Sequence, residues 1–246
     1  MVVSQVLQQR YREVHGTEAF YVPNGGVMRE WREPRKILEW GLDPGNYILF
    51  LGRFSPEKGC HLLVEAFEQL NTDVKLVMAG ASSYCDAYSK ELRTHASGRI
   101  RMLDWVSGET LDELITNAMI FVLPSDLEGL SLALLDAMAA GLCVLTSDVP
   151  ENREVVEGAG YTFRRGDAAD LADRLRFLIA NPAVREAAGQ AARRRVQEQY
   201  HWGKIAADIE RAYFDIMGFP QRKPAKKPSA RAAAASAGTV AERRTG

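Results

Sequence analysis

From Tyr47 to about residue 180 the chain alternates short, continuous apolar runs with amphipathic helical stretches. "YILFLG" ends at Gly52 and leads into "KGCHLLVEAFEQL", where Leu63, Ala66, Phe67 and Leu70 recur at helical spacing. "VKLVMAG" ends at Gly80 before a polar helical stretch, and "IRML" precedes a helix that Thr110 and Glu113 could open as a capping box. "MIFVLPS" leads into "EGLSLALLDAMAAG", "CVLTS" into a short turn at "PENREVV", and "GYTF" into "DAADLADRLRFLI". Strands apolar on both faces, each followed by a helix, predict an α/β fold: a doubly wound parallel sheet, Rossmann-like, covered on both sides. Two more helices are expected at roughly 182–199 and 203–217, the last with Trp202, Ile205, Ile209, Tyr213 and Ile216 on one stripe.

A sheet of this kind binds ligands beyond the carboxyl ends of its strands. Those ends are Gly52 to Lys58, Gly80 to Ser83, Asp104 to Ser107 and Ser125 to Ser131. In "GRFSPEKG", Arg53 and Lys58 stand in a glycine-bounded loop that runs into a helix, a setting suited to phosphate. By itself the loop is more simply read as solvated surface charge. There is no GxGxxG and no GxxxxGK[ST], which disfavours a dinucleotide fingerprint and a P-loop. No Asp-x-Asp occurs, so a diphosphate bound here is expected to be neutralised by protein cations rather than by a metal.

Glu128 is expected at the start of the helix after the fourth apolar run. Gly129 behind it would let a ligand approach the backbone, and the amides of Leu130 and Ser131 would face the cleft. The plainer reading is a favourable charge at a helix N-terminus. Asp136 tilts the balance, because it sits among Leu132, Ala133, Ala139 and Ala140. An unpaired buried carboxylate costs several kcal/mol, so it requires a partner that its sequence neighbours do not supply. A vicinal diol such as ribose offers two hydroxyl donors. A sugar nucleotide would then lie with its ribose on Asp136, its diphosphate on Arg53 and Lys58, and its sugar by Glu128.

With these residues in place the chain resembles the C-terminal, nucleotide-sugar-binding half of family-4 (group 1) glycosyltransferases of the glycosyltransferase-B fold. The likeness runs from about Val2 to Met217. It rests on "GRFSPEKG", on the pair of acids Glu128 and Asp136 inside "EGLSLALLDAMAAG", on Pro23-Asn24-Gly25, and on Trp202 before the last helix. The resemblance implies a retaining, metal-independent transferase that takes a sugar from a nucleoside diphosphate sugar and needs no cofactor. It implies that Glu128 contacts the transferred sugar, that Asp136 holds the ribose, and that Gly52, Arg53 and Lys58 hold the diphosphate as it leaves. The base is expected near Asp104 and Trp105, although Trp105 as ordinary packing fits the sequence equally well. Two positions depart from the family pattern: Asp136 replaces a glutamate, and Asp104 stands where many members have glycine.

The resemblance also implies a division into residues 1–25, the end of an N-terminal half with the crossover; 26–218, the donor-binding domain with its closing helix; and 219–246, a tail. The expected partner is an acceptor half supplied in cis or in trans, and the chain alone is expected to be inactive. It would be an excised domain, a truncated gene or one subunit of a split enzyme. Three rivals stay open. A non-catalytic nucleotide-sugar-binding module or a sugar-nucleotide epimerase would use the same site, whereas a receiver-type signalling domain would need acids where Arg53 stands.

Composition adds limits. With 46% hydrophobic residues the 246-residue chain can build a sizeable core, and its net charge of −1 gives no case for nucleic acid. The tail from Phe219 carries seven basic residues against Glu242, a formal +6, which leaves −7 elsewhere. Rich in Ala, Pro, Lys and Arg, it is expected to be disordered. A solvated tail is the simpler reading of its charge than contact with an anionic membrane. Cys60, Cys85 and Cys143 lack metal-ligand spacing and suggest free thiols in a reducing cytoplasm. No apolar run reaches the ~18–20 residues a bilayer requires, and no signal peptide follows Met1.

Overall fold

A computed structural model describes residues 1–81 and 86–218; the expected thiol at Cys85 and the tail 219–246 lie outside the described residues. The apolar runs form six strands: β1 (Tyr47–Leu51), β2 (Lys75–Ala79), β3 (Ile100–Leu103), β4 (Ile120–Leu123), β5 (Cys143–Ser147) and β6 (Tyr161–Phe163). All pairings are parallel, and the strand order is β3-β2-β1-β4-β5-β6. The helices are α1 (Gln5–His15), α2 (Lys36–Glu39), α3 (Cys60–Glu68), α4 (Asp86–Arg93), α5 (Gly108–Thr116), α6 (Leu132–Ala139), α7 (Pro150–Val156), α8 (Ala168–Ala180), α9 (Pro182–Gln199) and α10 (Trp202–Met217). The expected doubly wound α/β sheet is therefore what forms.

Successive side chains of a strand point to opposite faces. In β1, Leu49 and Leu51 join a cluster with Val77, Phe121, Leu134, Leu135 and Met138, while Ile48 and Phe50 join Leu63, Phe67, Leu171 and Leu175 on the other side. Both faces of the sheet are buried, which is why the strands read as unbroken apolar runs. Cys60 and Cys143 are free and buried, and burial pushes both thiols up to about 12. They behave as small core hydrophobes rather than nucleophiles.

The chain divides into two units, Met1–Ile209 and a second that begins at Glu210. The first 25 residues cluster within the first unit. Val2 bridges Tyr21 in parallel, and the Glu154 carboxylate of α7 accepts from the Gln5 amide at 3.0 Å, at the start of α1. Of the second unit the described part is the end of α10 and Gly218, in the left-handed region at φ 66°.

One local expectation is corrected. The helix after β3 begins at Gly108 with Ser107 as its N-cap, so Thr110 and Glu113 do not form a capping box. Glu113 instead turns its carboxylate to the start of α2, accepting from the backbone amides of Arg35 at 2.6 Å and Ile37 at 2.9 Å. Burial alone would raise its pKa, but the amides of Ile37, Arg35 and Lys36 outweigh that and hold the carboxyl below its ordinary value of 4.5. A capping box and a long-range cap use the same residue types, and local spacing cannot separate them.

At the carboxyl end of the sheet the backbones of β1 and β2 run very close. A Cβ on Gly80 would lie 1.8 Å from the Gly52 carbonyl oxygen, a backbone atom that cannot step aside. Gly80→Ala should therefore destabilise the fold by about 1–3 kcal/mol, read as a lowered midpoint in urea at unchanged slope. Glu113 gives a pH signature. Its folded pKa is depressed, so its contribution is complete above pH 4.5 and fades as pH falls through the lower folded value. Glu113→Gln should be less stable than the parent at neutral pH, and the gap should close in acid, measured by denaturant titrations across pH.

Candidate functional site

Strand order reverses between β1 and β4, the switch point at which an open α/β sheet leaves a crevice. A cavity of about 500 Å³ opens there. The loop after β1 supplies Gly52, Arg53 and Lys58 to its lining, the end of β2 supplies Gly80, and the segment after β4 supplies Glu128, Leu130, Ser131, Ala133 and Asp136. Trp105, Val106, Ser107, Leu111 and Ile115 form an apolar wall, and Asn24 reaches in from the crossover segment. Residues more than a hundred positions apart are thus brought to one crevice of a size usual for small-molecule sites.

The loops on either side of the crevice are stitched together. The Asp126 amide donates to the Glu57 carbonyl at 2.9 Å. Lys58 Nζ donates to Glu128 Oε1 at 2.6 Å, and Ser125 Oγ donates to the same oxygen at 2.7 Å. The Lys58 and Glu128 side chains are only 16% and 5% exposed, so the pair is largely desolvated. An ammonium has three donors, which leaves two for a ligand. Arg53 is freer: its side chain is 52% exposed, and its nearest acid is Glu57 at 3.7 Å.

Glu128 does not open a helix. The helix starts at Leu132, capped by Ser131, whose Oγ accepts from the Leu134 amide at 3.3 Å. Glu128 stands in the preceding loop, so interaction with the helix N-terminus does not account for it; the pairing with Lys58 and Ser125 does. Gly129 is not among the residues lining the cavity, and a Cβ there would be 3.6 Å from a Val3 methyl, an ordinary contact. Asp104 likewise does not line the cavity; it pairs with Arg93 at 2.7 Å and faces solvent. Trp105 does line it, 76% exposed at the rim, so it is not core packing.

Asp136 has partners that the sequence pattern did not disclose. Its Oδ1 accepts from the Val27 amide at 3.0 Å and its Oδ2 from Arg29 Nη2 at 2.7 Å. Arg29 Nη1 also donates to Asp112 on α5. The carboxylate is therefore satisfied without a ribose, which corrects the expectation that it lacked protein partners, although it still borders the cavity. The approach of Val27 depends on Gly26, where a Cβ would meet the Leu135 carbonyl oxygen at 2.9 Å. The Gly26 amide donates to the Tyr200 carbonyl at 2.9 Å, and the Trp202 ring covers Gly25. The Pro23-Asn24-Gly25 segment and Trp202 are thus one packing unit. Little in the local sequence marks Arg29, because its partners lie 83 and 107 residues away. Its one sequence signal is an arginine three residues after the Gly25-Gly26 pair.

Among the described residues no three or more His, Cys, Asp or Glu side chains are grouped to hold a metal ion, and no helix is long and apolar enough to cross a membrane. Residues 35–195 match the family model for glycosyl transferases group 1. The chain belongs to this family. It is 33% identical over 186 residues to the alpha-maltose-1-phosphate synthase of Mycobacterium tuberculosis, covering 69% of this chain and 48% of that protein. It is 30% identical over 226 residues to the phosphatidyl-myo-inositol mannosyltransferase of Mycobacterium leprae, covering 87% of this chain and 58% of that one. The chain thus spans about half the length of the curated relatives it matches. Among solved structures, sucrose-phosphate synthase from Thermosynechococcus elongatus superposes with a TM-score of 0.78 at 25% identity, over 88% of this chain and 58% of that one. Anabaena Alr3699/HepE in complex with UDP-glucose superposes at 0.79 with 18% identity, over 87% and 63%. The glycosyltransferase-B resemblance is upheld at the level of the group 1 family and its Rossmann-like α/β fold.

The pairing of Lys58 with Glu128 has a measurable consequence. Lys58→Met should destabilise the protein by about 3–5 kcal/mol, because it strands a buried carboxylate. Adding Glu128→Gln should recover most of that loss. A double-mutant cycle by urea denaturation reads the coupling, and additive single losses would show that the two side chains act independently.

Proposed function

We propose that this chain is the donor-binding, C-terminal half of a retaining, metal-independent family-4 glycosyltransferase that moves a sugar from a nucleoside diphosphate sugar to an acceptor. The observation that carries this reading is the switch-point cavity lined by two cations, Arg53 and Lys58, and two carboxylates, Glu128 and Asp136. Arg53 and the free donors of Lys58 hold the diphosphate. Glu128 orients the sugar, Asp136 takes the ribose, and the apolar wall under Trp105 takes the base. The Anabaena protein of this fold holds UDP-glucose, and we carry that class of ligand over to this cavity.

Breaking the anomeric bond develops positive charge on the sugar and negative charge on the departing diphosphate. Cations already fixed at the phosphates stabilise that charge without reorganising, where removal of one such donor commonly costs about 2.7–4 kcal/mol. Lys58 is the better organised of the two, because Glu128 anchors it; Arg53 is free to close on the ligand. The acceptor half is supplied by another part of the polypeptide or another chain, and the protein works in the cytoplasm.

A thermal-shift panel of UDP-, GDP- and ADP-sugars tests the reading. One donor should raise the melting temperature, since a ligand at a hundred times its Kd stabilises by about 2.7 kcal/mol, and a chelator should not change the shift. Arg53→Ala removes a half-exposed side chain, so it should leave the unliganded melting temperature nearly unchanged and abolish most of the shift. The chain alone should bind donor but transfer no sugar. Absence of any shift, strict dependence on a divalent ion, or robust transfer by residues 1–246 alone would each overturn the corresponding part.

A further inference from the structure

We propose that Arg29 is the positioning residue for Asp136, setting its carboxylate to read the ribose hydroxyls of the donor; this rests on the donor-binding reading above. Arg29 does not line the cavity. It lies behind it, 11% exposed, with one prong of its guanidinium on Asp136 of α6 and the other on Asp112 of α5. Both helices contribute to the lining of the crevice, with Leu111 next to Asp112 and Ala133 a turn before Asp136. A planar fork can bridge two carboxylates in a set geometry, which an ammonium cannot do.

The count of lone pairs leaves room for a ligand. A carboxylate offers about four acceptor sites. The Val27 amide takes one on Oδ1 and Arg29 takes one on Oδ2, so each oxygen keeps a second site for a vicinal diol. Holding both oxygens fixes the rotation of the carboxylate about its terminal bond, which would otherwise be soft. An aspartate is one methylene shorter than glutamate and cannot search for the diol by bending, so its placement has to come from its neighbours.

Stability alone does not explain this arrangement. Arg29 Nε is buried with no hydrogen-bond partner, and buried ion-pair clusters are often no more stable than apolar residues of similar size. The cluster instead fits a site whose geometry is held at some expense to the fold.

The test compares Arg29→Lys with the parent by calorimetric titration, using whichever of UDP, GDP and ADP most stabilises the parent, and the 2′,3′-dideoxy form of the same nucleotide. The parent should prefer the ribose form by at least about tenfold. Arg29→Lys should lose about tenfold toward the ribose nucleotide and little toward the dideoxy one. Combining it with Asp136→Asn should cost no more than Asp136→Asn alone. Should the lysine variant fail to fold, Asp112→Asn releases one prong of the fork and should give a smaller loss of the same selective kind. Equal weakening of both nucleotides, or additive losses in the double variant, would mean that Arg29 supports only the fold and would overturn the proposal. A parent that binds a nucleotide without preferring ribose overturns it together with the assignment of the ribose to Asp136, and leaves the rest of the donor-binding reading intact. A parent that binds none of the three nucleotides removes that reading and this one with it.

Discussion

The bond from the Val27 amide to Asp136 ties the crossover segment to the helix that forms one wall of the cavity. A backbone donor can reach a side chain on α6 only if the chain passes nearly in contact with that helix, and Gly26 allows this because no Cβ fits against the Leu135 carbonyl. From that point the segment runs on to place Arg29 between α5 and α6, and then to deliver the amides of Arg35 and Ile37 to Glu113. Three carboxylates on two helices, Asp112, Glu113 and Asp136, thereby hold an otherwise irregular stretch. Without those acceptors its amides would have to remain in water.

The sheet contributes position and the loops contribute charge. Strand order alone opens the crevice between β1 and β4, whatever residues line it. What makes this crevice suited to an anionic, hydroxyl-rich ligand is the way its charges are already balanced. Lys58 is neutralised by Glu128 yet keeps donors to spare, so the cost of desolvating the pair is met within the fold rather than at the moment of binding. Arg53, more exposed and loosely held, can adjust to what arrives.

The features legible in the sequence were those with a short period. The six apolar runs became six strands, and the helices 182–199 and 203–217 formed within a residue of their expected limits, because a buried parallel strand and an amphipathic helix each repeat over a few positions. Arg53, Lys58, Glu128 and Asp136 all line the cavity, since strand ends can be read once strands can. What the sequence does not disclose is where a polar side chain finds a distant partner. Glu113 matched a local capping pattern but caps another helix, Asp136 looked unpartnered but has two donors, and Asp104 pairs with Arg93 instead of facing the cavity. Glycines are hard to read for a related reason: at Gly26 a Cβ would meet the Leu135 carbonyl oxygen, a contact that only the folded chain discloses.

The amide clamp on Asp136 also sets opposite rules for two adjacent positions. Because the bond is made by main-chain nitrogen, it is indifferent to the side chain at 27, which projects about half exposed. At 26 even one carbon is too many. Random mutagenesis of this segment should therefore meet a permissive codon directly after an intolerant one, with proline the exception at 27 because it carries no N–H.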